Sequence, residues 1–357
     1  MTYARENIEQ MHGYTPGEQP LGDHVIKLNT NENPWPPSPQ VMAALRDISA
    51  ETLRRYPSPS AAHFLAQAAA LHQLTPEQLV ASNGGDELLR LALTTFVTPG
   101  APIAVTEPTY SLYPVLAAIH DSPVMSAELD AAWDLPVDFA ERMNAAAVAL
   151  TLLVNPHAPS GRLLSASQIS TLASTLNGVL LVDEAYVDFV DPGHDVVSLI
   201  HKHDNLLILR TLSKGYSLAG LRLGYGIGST SLLAPIKEKT RDSYNVDAIA
   251  ERLGAAALAD QDSARQTWHA VRAERERLTK ALRERGFHVI DSQTNFCLAW
   301  VPAEARITAG ELYAGLKERD ILVRHFATPR LSDAIRISIG TPAQTDGLLA
   351  NLDELLA

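Results

Sequence analysis

A chain of 357 residues is long for a single core, so a large domain with a smaller companion is the expectation. Hydrophobic residues at 46% and charged residues at 20% fit a soluble globular protein and exclude pervasive disorder, while a net charge of −12 argues against nucleic acid and anionic membranes as partners. The single cysteine, Cys297, excludes an internal disulfide framework and fits a core position in a reducing cytoplasm. The first residues lack the apolar stretch of a secretory signal, and no run of about 18 apolar residues is present to span a membrane, so a cytoplasmic location is expected.

Taken in order, residues 1–30 read as an irregular arm with turn signals at Gly13, Pro16-Gly17 and Pro20. Residues 27–39 are too rich in proline and asparagine for a helix or an inner strand, and their side-chain amides suggest a shaped surface near a ligand. A helix is predicted after the cap Ser38, with Pro39 in its first turn and Val41, Leu45 and Ile48 on one face. Arg55-Tyr-Pro-Ser-Pro59 breaks it, and a second helix follows over about 60–73. From Leu79 a strand runs into Gly84-Gly85, and a helix begins with Asp86 and Glu87. Free amides beside glycines make that junction a ready anion site.

Strands are then predicted over 102–106, 145–154, 178–182 and 206–209, each apolar without alternation, as in a sheet buried on both faces. Helical spacing over 165–176 lies between two of them, which indicates parallel strands joined by right-handed crossovers. Asn155, Asp183 and Lys214 each fall just past a predicted strand. In a parallel α/β sheet, ligands bind outside those carboxyl ends, so the three converge on one edge. A short strand to Gly228 and a helix from about 230 follow. A long helix over about 263–285 should bury Trp268, Val271, Leu278 and Leu282 and turn its charges to solvent. The remainder reads as α+β, with strands at 288–290, 295–301, 321–324 and 334–339 and helices at about 308–318 and 342–356. The expected division is an arm with a small-domain contribution (1–45), a large domain (46–260) and a small domain (261–357).

A lysine at the end of a buried strand is a costly structural choice, because an ammonium resists desolvation. It is a good chemical one, since a desolvated amine attacks carbonyls to form a Schiff base. Thr211 and Ser213 lie just before Lys214, and Arg222 follows eight residues after it, so an anion such as phosphate could be held within reach. An aldehyde with a phosphate tail describes pyridoxal 5'-phosphate.

The segment Ser213-Lys-Gly-Tyr-Ser-Leu-Ala-Gly-Leu-Arg-Leu-Gly-Tyr225 resembles the cofactor-lysine segment of fold-type I aminotransferases that use this cofactor. It is most similar to that of the histidinol-phosphate aminotransferase family. Leu28-Asn-Thr-Asn-Glu-Asn-Pro34, Tyr14-Thr-Pro-Gly17 and Tyr244-Asn-Val246 resemble further segments of that family. The resemblance implies a large domain with a mostly parallel sheet sandwiched by helices, plus a smaller α+β domain formed by the C-terminal part and the arm. Lys214 would carry the cofactor and act as general acid and base. Asp183 would face the pyridine nitrogen, while Tyr186 and Asn155 would bond the phenolic oxygen. The cofactor phosphate would sit among Gly84, Gly85, Asp86, Thr211, Ser213, Arg222 and the partner subunit's Tyr56 in a homodimer. Tyr110 would stack on the ring. Tyr14, Asn33, Tyr110, Arg324 and Arg336 would contact substrate, with Arg336 on its phosphate or carboxylate and Arg324 assisting. No metal is implied.

The implied reaction converts histidinol phosphate and 2-oxoglutarate to imidazole acetol phosphate and glutamate, a step of histidine biosynthesis. A phosphothreonine decarboxylase or an aromatic amino-acid aminotransferase on the same scaffold is the alternative. A cofactor-binding regulator would need an added DNA-binding domain. The chain departs from the family pattern at His157 and Ala158, where side-chain amides are usual, and this bears on substrate identity.

Overall fold

The computed structural model describes residues 3–20, 22 and 24–357; Met1, Thr2, Leu21 and Asp23, which belong to the expected arm, lie outside the described residues. The arm carries a short helix, Glu6–Gln10, that the sequence reading does not contain. Arg5 Nη2 and Asn7 Nδ2 donate to Ile119 O (2.7 Å) and Ala118 O (2.8 Å), fastening it to the end of the helix Leu112–His120. The arm then forms β1 (Ile26–Lys27), which runs parallel to Ile321–Leu322.

The helix predicted behind Ser38 spans Pro39–Arg46, with Ser38 Oγ accepting from the Gln40 and Val41 amides. Its predicted apolar face is only partly an inner one: Val41 is buried, but Leu45 is 44% exposed. A separate helix, Ala50–Arg54, precedes the proline break, and Ala62–His72 follows it.

Seven strands build the main sheet: β2 (Leu79–Ser82), β3 (Ile103–Glu107), β4 (Val124–Glu128), β5 (Leu150–Val154), β6 (Val179–Asp183), β7 (Leu206–Thr211) and β8 (Gly224–Gly228). Their order is β2-β8-β7-β6-β5-β3-β4. The pairings from β7 across to β4 are parallel, and β8 runs antiparallel to both its neighbours. Successive side chains alternate between two cores, one on each face. Leu180, Val182, Leu206 and Ile208 enter one, and Leu181, Leu207 and Leu209 enter the other. That double burial is why these strands read as unbroken apolar runs.

The run predicted over 145–154 begins as a strand only at Leu150. Phe139–Ala145 is helical, and Ala147 takes φ +53° to turn the chain. The edge strand β4 is absent from the sequence reading because it lies at the end of the sheet beside β3, with its Val124, Met125 and Ser126 exposed.

The second sheet comprises β9 (His288–Val289), β10 (Phe296–Trp300), β12 (Arg324–His325) and β13 (Ala334–Ser338), antiparallel in the order β12-β13-β10-β9; β11 is the Ile321–Leu322 strand beside β1. The predicted strand over 321–324 is therefore two strands in two sheets. Helices Gln261–Glu284, Ala309–Lys317 and Pro342–Leu356 cover one face through Leu278, Leu282, Leu312, Leu316, Leu348 and Leu352. Cys297 is fully buried in that core.

The charges of the long helix are not all solvated. Arg275 is 4% exposed and donates to Phe189 O (3.0 Å) and Thr294 O (2.9 Å), and Glu274 is buried against Arg277 at 2.7 Å. The helix spans the junction between the sheets, where orphan carbonyls require a donor. Among the described residues no helix is long and apolar enough to cross a membrane.

Candidate active site

The parallel register sets Val154 beside Asp183 and Asp183 beside Leu209, so the loops after β5, β6 and β7 leave the sheet at one edge. Asp183 is 5% exposed; its Oδ2 accepts from Tyr113 Oη (2.9 Å) and its Oδ1 from the Ala185 amide (3.0 Å). Burial lifts its pKa to about 6 against the two hydrogen bonds that hold it down. Tyr113, fully buried, is a residue beside Asp183 that the sequence reading lacks, because its partner lies 70 residues away and nothing local marks it. Asp183 is followed by Glu184, whose buried carboxylate accepts from Arg210 Nε at 2.6 Å; this second acid supports the strand ends and does not face the edge.

Lys214 Nζ donates to Thr30 O at 3.0 Å. The Thr30 hydroxyl accepts from Lys27 Nζ, which also pairs with Glu32. One arm residue thus bridges two lysines. Burial, with Arg336, Arg222 and Lys27, lowers the Lys214 pKa to about 8 against the pull of Glu32. The next residue must be glycine: a Cβ on Gly215 would lie 2.1 Å from Asp188 Oδ2. Gly215 O accepts from Trp268 Nε1 (2.7 Å) and Asn33 Nδ2 (3.3 Å), and Asn33 Oδ1 accepts from the Trp35 amide. Asn33 therefore braces the lysine loop from behind.

The glycine pair and the hydroxyls meet around Arg222. Gly84 sits at φ +74° and opens the helix Gly84–Phe96, which no side chain caps. A Cβ at Gly84 would meet Arg222 Nη2 at 2.6 Å, so only bare backbone fits there. Arg222 Nη1 donates to Ser213 Oγ and Nη2 to Asp86 Oδ2, each at 3.3 Å. Thr211 Oγ1 donates to Ser213 Oγ (3.0 Å) and accepts from its amide (3.1 Å). A guanidinium, two hydroxyls and uncapped helix amides suit a phosphate. With a buried carboxylate and a desolvated lysine beside them, the residues fit a phosphorylated pyridine aldehyde.

Asn155 is fully buried; its Oδ1 accepts from the Leu164 amide (2.8 Å) and its Nδ2 donates to Leu164 O (3.1 Å), leaving one amide proton over. Tyr186 Oη accepts from Asn31 Nδ2 at 3.0 Å, and burial raises its pKa. Tyr110 packs edge-on to Tyr113 (5.5 Å) and to Tyr14 (6.0 Å), which links the arm to the cleft. Gly85 lies in the same helix start, its bare Cα against Leu209.

The departures at His157 and Ala158 both lie at buried positions. His157 is 5% exposed, with Nε2 donating to Pro108 O (2.9 Å) and Nδ1 accepting from Ser160 Oγ (2.8 Å). Burial lowers its pKa to about 4, so the ring is neutral and joins the loops after β3 and β5.

Arg324 and Arg336 face each other across the β12–β13 ladder. Arg336 Nη2 donates to Asn29 O (3.1 Å), its Nε is buried without a partner among the described residues, and burial lowers its pKa. Its guanidinium lies 5.1 Å from the Phe296 ring and 5.5 Å from Phe326; Arg324 lies 5.5 Å from the same Phe326. Tyr56 stands apart: it is 82% exposed and stacks on Tyr244 at 4.7 Å. No hydrogen bond or ring contact among the described residues joins it to Gly84, Ser213 or Arg222. Among those residues no group of three or more His, Cys, Asp or Glu could hold a metal.

The model of the aminotransferase class I and II family matches residues 23–352. The chain is 42% identical over 355 residues to histidinol-phosphate aminotransferase 1 of Trichormus variabilis, covering 99% of each, and 41% identical to histidinol-phosphate aminotransferase of Microcystis aeruginosa, covering 100% of this chain and 99% of that one. Its fold is similar to the crystal structure of histidinol-phosphate aminotransferase from Sinorhizobium meliloti in complex with pyridoxal-5'-phosphate, with a TM-score of 0.91, 23% identity and coverage of 100% and 98%. With its half-buried lysine, buried aspartate and the arginine–hydroxyl cluster beside Gly84 at the carboxyl edge of a mostly parallel sheet, this chain belongs to the class I and II aminotransferases, among the histidinol-phosphate aminotransferases.

Proposed function

We propose that this aminotransferase moves an amino group between histidinol phosphate and 2-oxoglutarate at the cleft formed by Lys214, Asp183, Arg222 and Arg336. Its cofactor is pyridoxal 5'-phosphate, as in the family. When bound, that cofactor supplies an aldehyde and a cationic ring that accepts the electron pair left by a breaking Cα–H bond. The observation that carries the substrate reading is Arg336: a half-buried arginine whose buried Nε has no partner among the described residues, flanked by Arg324 and placed to take an anion. The names of the curated relatives favour a phosphorylated amino alcohol over phosphothreonine or an aromatic amino acid.

Each residue has a task that follows from its chemistry. Lys214, with a pKa near 8, has an appreciable neutral fraction at mildly alkaline pH, so its amine would hold the cofactor and take the substrate Cα proton. Asp183 offers a buried carboxylate to a ring cation. Tyr186 and the free amide proton of Asn155 are set to bond a phenolic oxygen. Gly84, Gly85, Asp86, Thr211, Ser213 and Arg222 hold the cofactor phosphate. Tyr110, edge-packed on Tyr113, offers its ring to the cofactor, and Tyr14 closes over it from the arm. Asn33 keeps the lysine loop in place.

A guanidinium fits both phosphate and carboxylate through its planar fork, whereas lysine acts as a point charge. Arg336→Lys is therefore expected to weaken both half-reactions by about 1.5–3 kcal/mol per lost charged hydrogen bond. Arg324→Ala should impair the phosphorylated substrate more than glutamate. Single-turnover kinetics of each half-reaction test this. Unchanged histidinol-phosphate turnover in both variants would shift the assignment to an unphosphorylated aromatic substrate.

In this reading the enzyme is a cytoplasmic homodimer in which the partner subunit's Tyr56 completes the phosphate cup. Support comes from its exposed ring and the exposed Met42, Leu45 and Leu53. Tyr56→Phe should raise the cofactor dissociation constant roughly tenfold, the size of one hydrogen bond to a charged group. A fully active monomer in sedimentation would overturn the shared site.

A further inference from the structure

Trp133 lies in the loop after β4, at φ +66°, a backbone region that a bulky residue enters only when its surroundings enforce it. The ring is 6% exposed, and three groups converge on it. The Arg330 guanidinium stacks 3.9 Å from its centroid, the His157 ring is 5.8 Å away and the Trp300 ring 6.1 Å. Arg330 also donates through Nη1 and Nη2 to Leu129 O and Asp130 O, so its fork grips the loop that its face covers. The loop has its own supports. Asp130 Oδ1 accepts from the Ala132 (2.8 Å) and Asp134 (2.9 Å) amides, and Asp134 pairs with Arg162.

The contacts continue in two directions. Toward the cofactor side, His157 bonds Pro108 O, two residues before Tyr110. Toward the substrate side, Arg330 lies four residues beyond Phe326, whose ring sits 5.5 Å from both Arg324 and Arg336. Leu129, Trp133, Leu298, Leu331 and Ala334 form a small apolar cluster of their own, with Phe326 against it. The main-sheet loop and the segment bearing Phe326 thus meet through this patch and its cation.

We propose that Arg330 and Trp133 form a latch that positions Phe326, and through it Arg336, against the loop carrying Tyr110, so that the depth of the substrate-anion site is set by a stacked pair outside it. The proposal rests on reading Arg336 as the anion-binding residue. Arg330 and Trp133 touch no substrate in this scheme; they are positioning residues.

Glutarate, which has both carboxylates of glutamate and no amino group, is the probe. Arg330→Met keeps the stem and removes the fork and the charge. It is expected to raise the glutarate inhibition constant and the glutamate KM about tenfold, the scale of a displaced charged contact, while kcat stays within about twofold. Trp133→Phe, which keeps a π face, should lie close to wild type. The Arg330→Met/Trp133→Leu double variant should be no worse than the weaker-binding single one, because either change opens the same latch.

An Arg330→Met enzyme with an unchanged glutarate constant overturns the proposal, whatever its melting temperature. Additive losses in the double variant also overturn it, since they would mean two independent structural contacts. Arg336→Lys separates the premise: if it too leaves glutarate binding unchanged, the anion assignment fails first and the latch has nothing to position.

Discussion

Lys214→Ala is expected to abolish transamination, by roughly 10⁴-fold or more, while the protein stays folded and still takes up cofactor. The loss of one amine removes both the covalent attachment and the proton carrier, and general acid–base catalysis alone contributes roughly 10²–10⁴-fold. The structural cost is small. Among the described residues, the hydrogen bond given up by the side chain is that to Thr30 O, and a burdened buried ammonium goes with it. Arg222, Ser213 and the Gly84 backbone do not depend on Lys214, so the cluster proposed to hold the phosphate should persist. Borohydride reduction of the wild type followed by peptide mapping should label Lys214 alone. A label on Lys202, Lys237 or Lys239, or an alanine variant with measurable turnover, sinks the assignment.

The parts of this protein that were legible in its sequence are those where one physical constraint dominates. Strands β5, β6 and β7 are buried on both faces, so they announce themselves as apolar runs, and Asn155, Asp183 and Lys214 are placed by the geometry of strand ends. Ser38 advertises a helix start because a hydroxyl must satisfy open amides there. What stayed hidden depends on partners far along the chain. Tyr113 matters because its hydroxyl reaches Asp183, 70 residues away. Thr30 matters because its carbonyl meets Lys214, 184 residues away. Arg275 reads as a surface charge on an amphipathic helix until Phe189 and Thr294 supply carbonyls that need it. The edge strand β4 carries no burial pattern, and so no signal. His157 shows the converse case: a visible departure from the family pattern, whose meaning appears only with Pro108 and Ser160 in place.

The other large effect expected is a reversal of sign between stability and activity at Asp183. In the cofactor-free protein the carboxyl is buried with a pKa of about 6, against about 3.9 in an unfolded chain. Because the folded value is the higher, the fold disfavours the ionised form. The stability this group contributes is complete below about pH 4, declines as pH rises through the interval, and is lost above about pH 6. A shift of about two units corresponds to about 3 kcal/mol at most. An asparagine side chain at this position would not ionise, and it can keep both neighbours: its carbonyl accepts from the Ala185 amide, and its NH2 group donates to Tyr113 Oη, a hydroxyl able to turn. Asp183→Asn is therefore expected to stabilise the cofactor-free protein by up to about 3 kcal/mol at about pH 8, by roughly half that at about pH 5, and not at all near pH 4. In the loaded enzyme the same change would remove the negative partner proposed for a ring cation, so cofactor affinity and turnover should fall, the latter by roughly 10²–10³-fold, the range attached to one positioned electrostatic partner in a dry site. Urea denaturation of the cofactor-free wild type and variant at those three pH values, beside cofactor titration at the most alkaline of them, measures both halves. A variant destabilised equally at every pH would mean that Asp183 serves the fold through its hydrogen bonds alone. A variant that keeps wild-type turnover would remove Asp183 from the catalytic set.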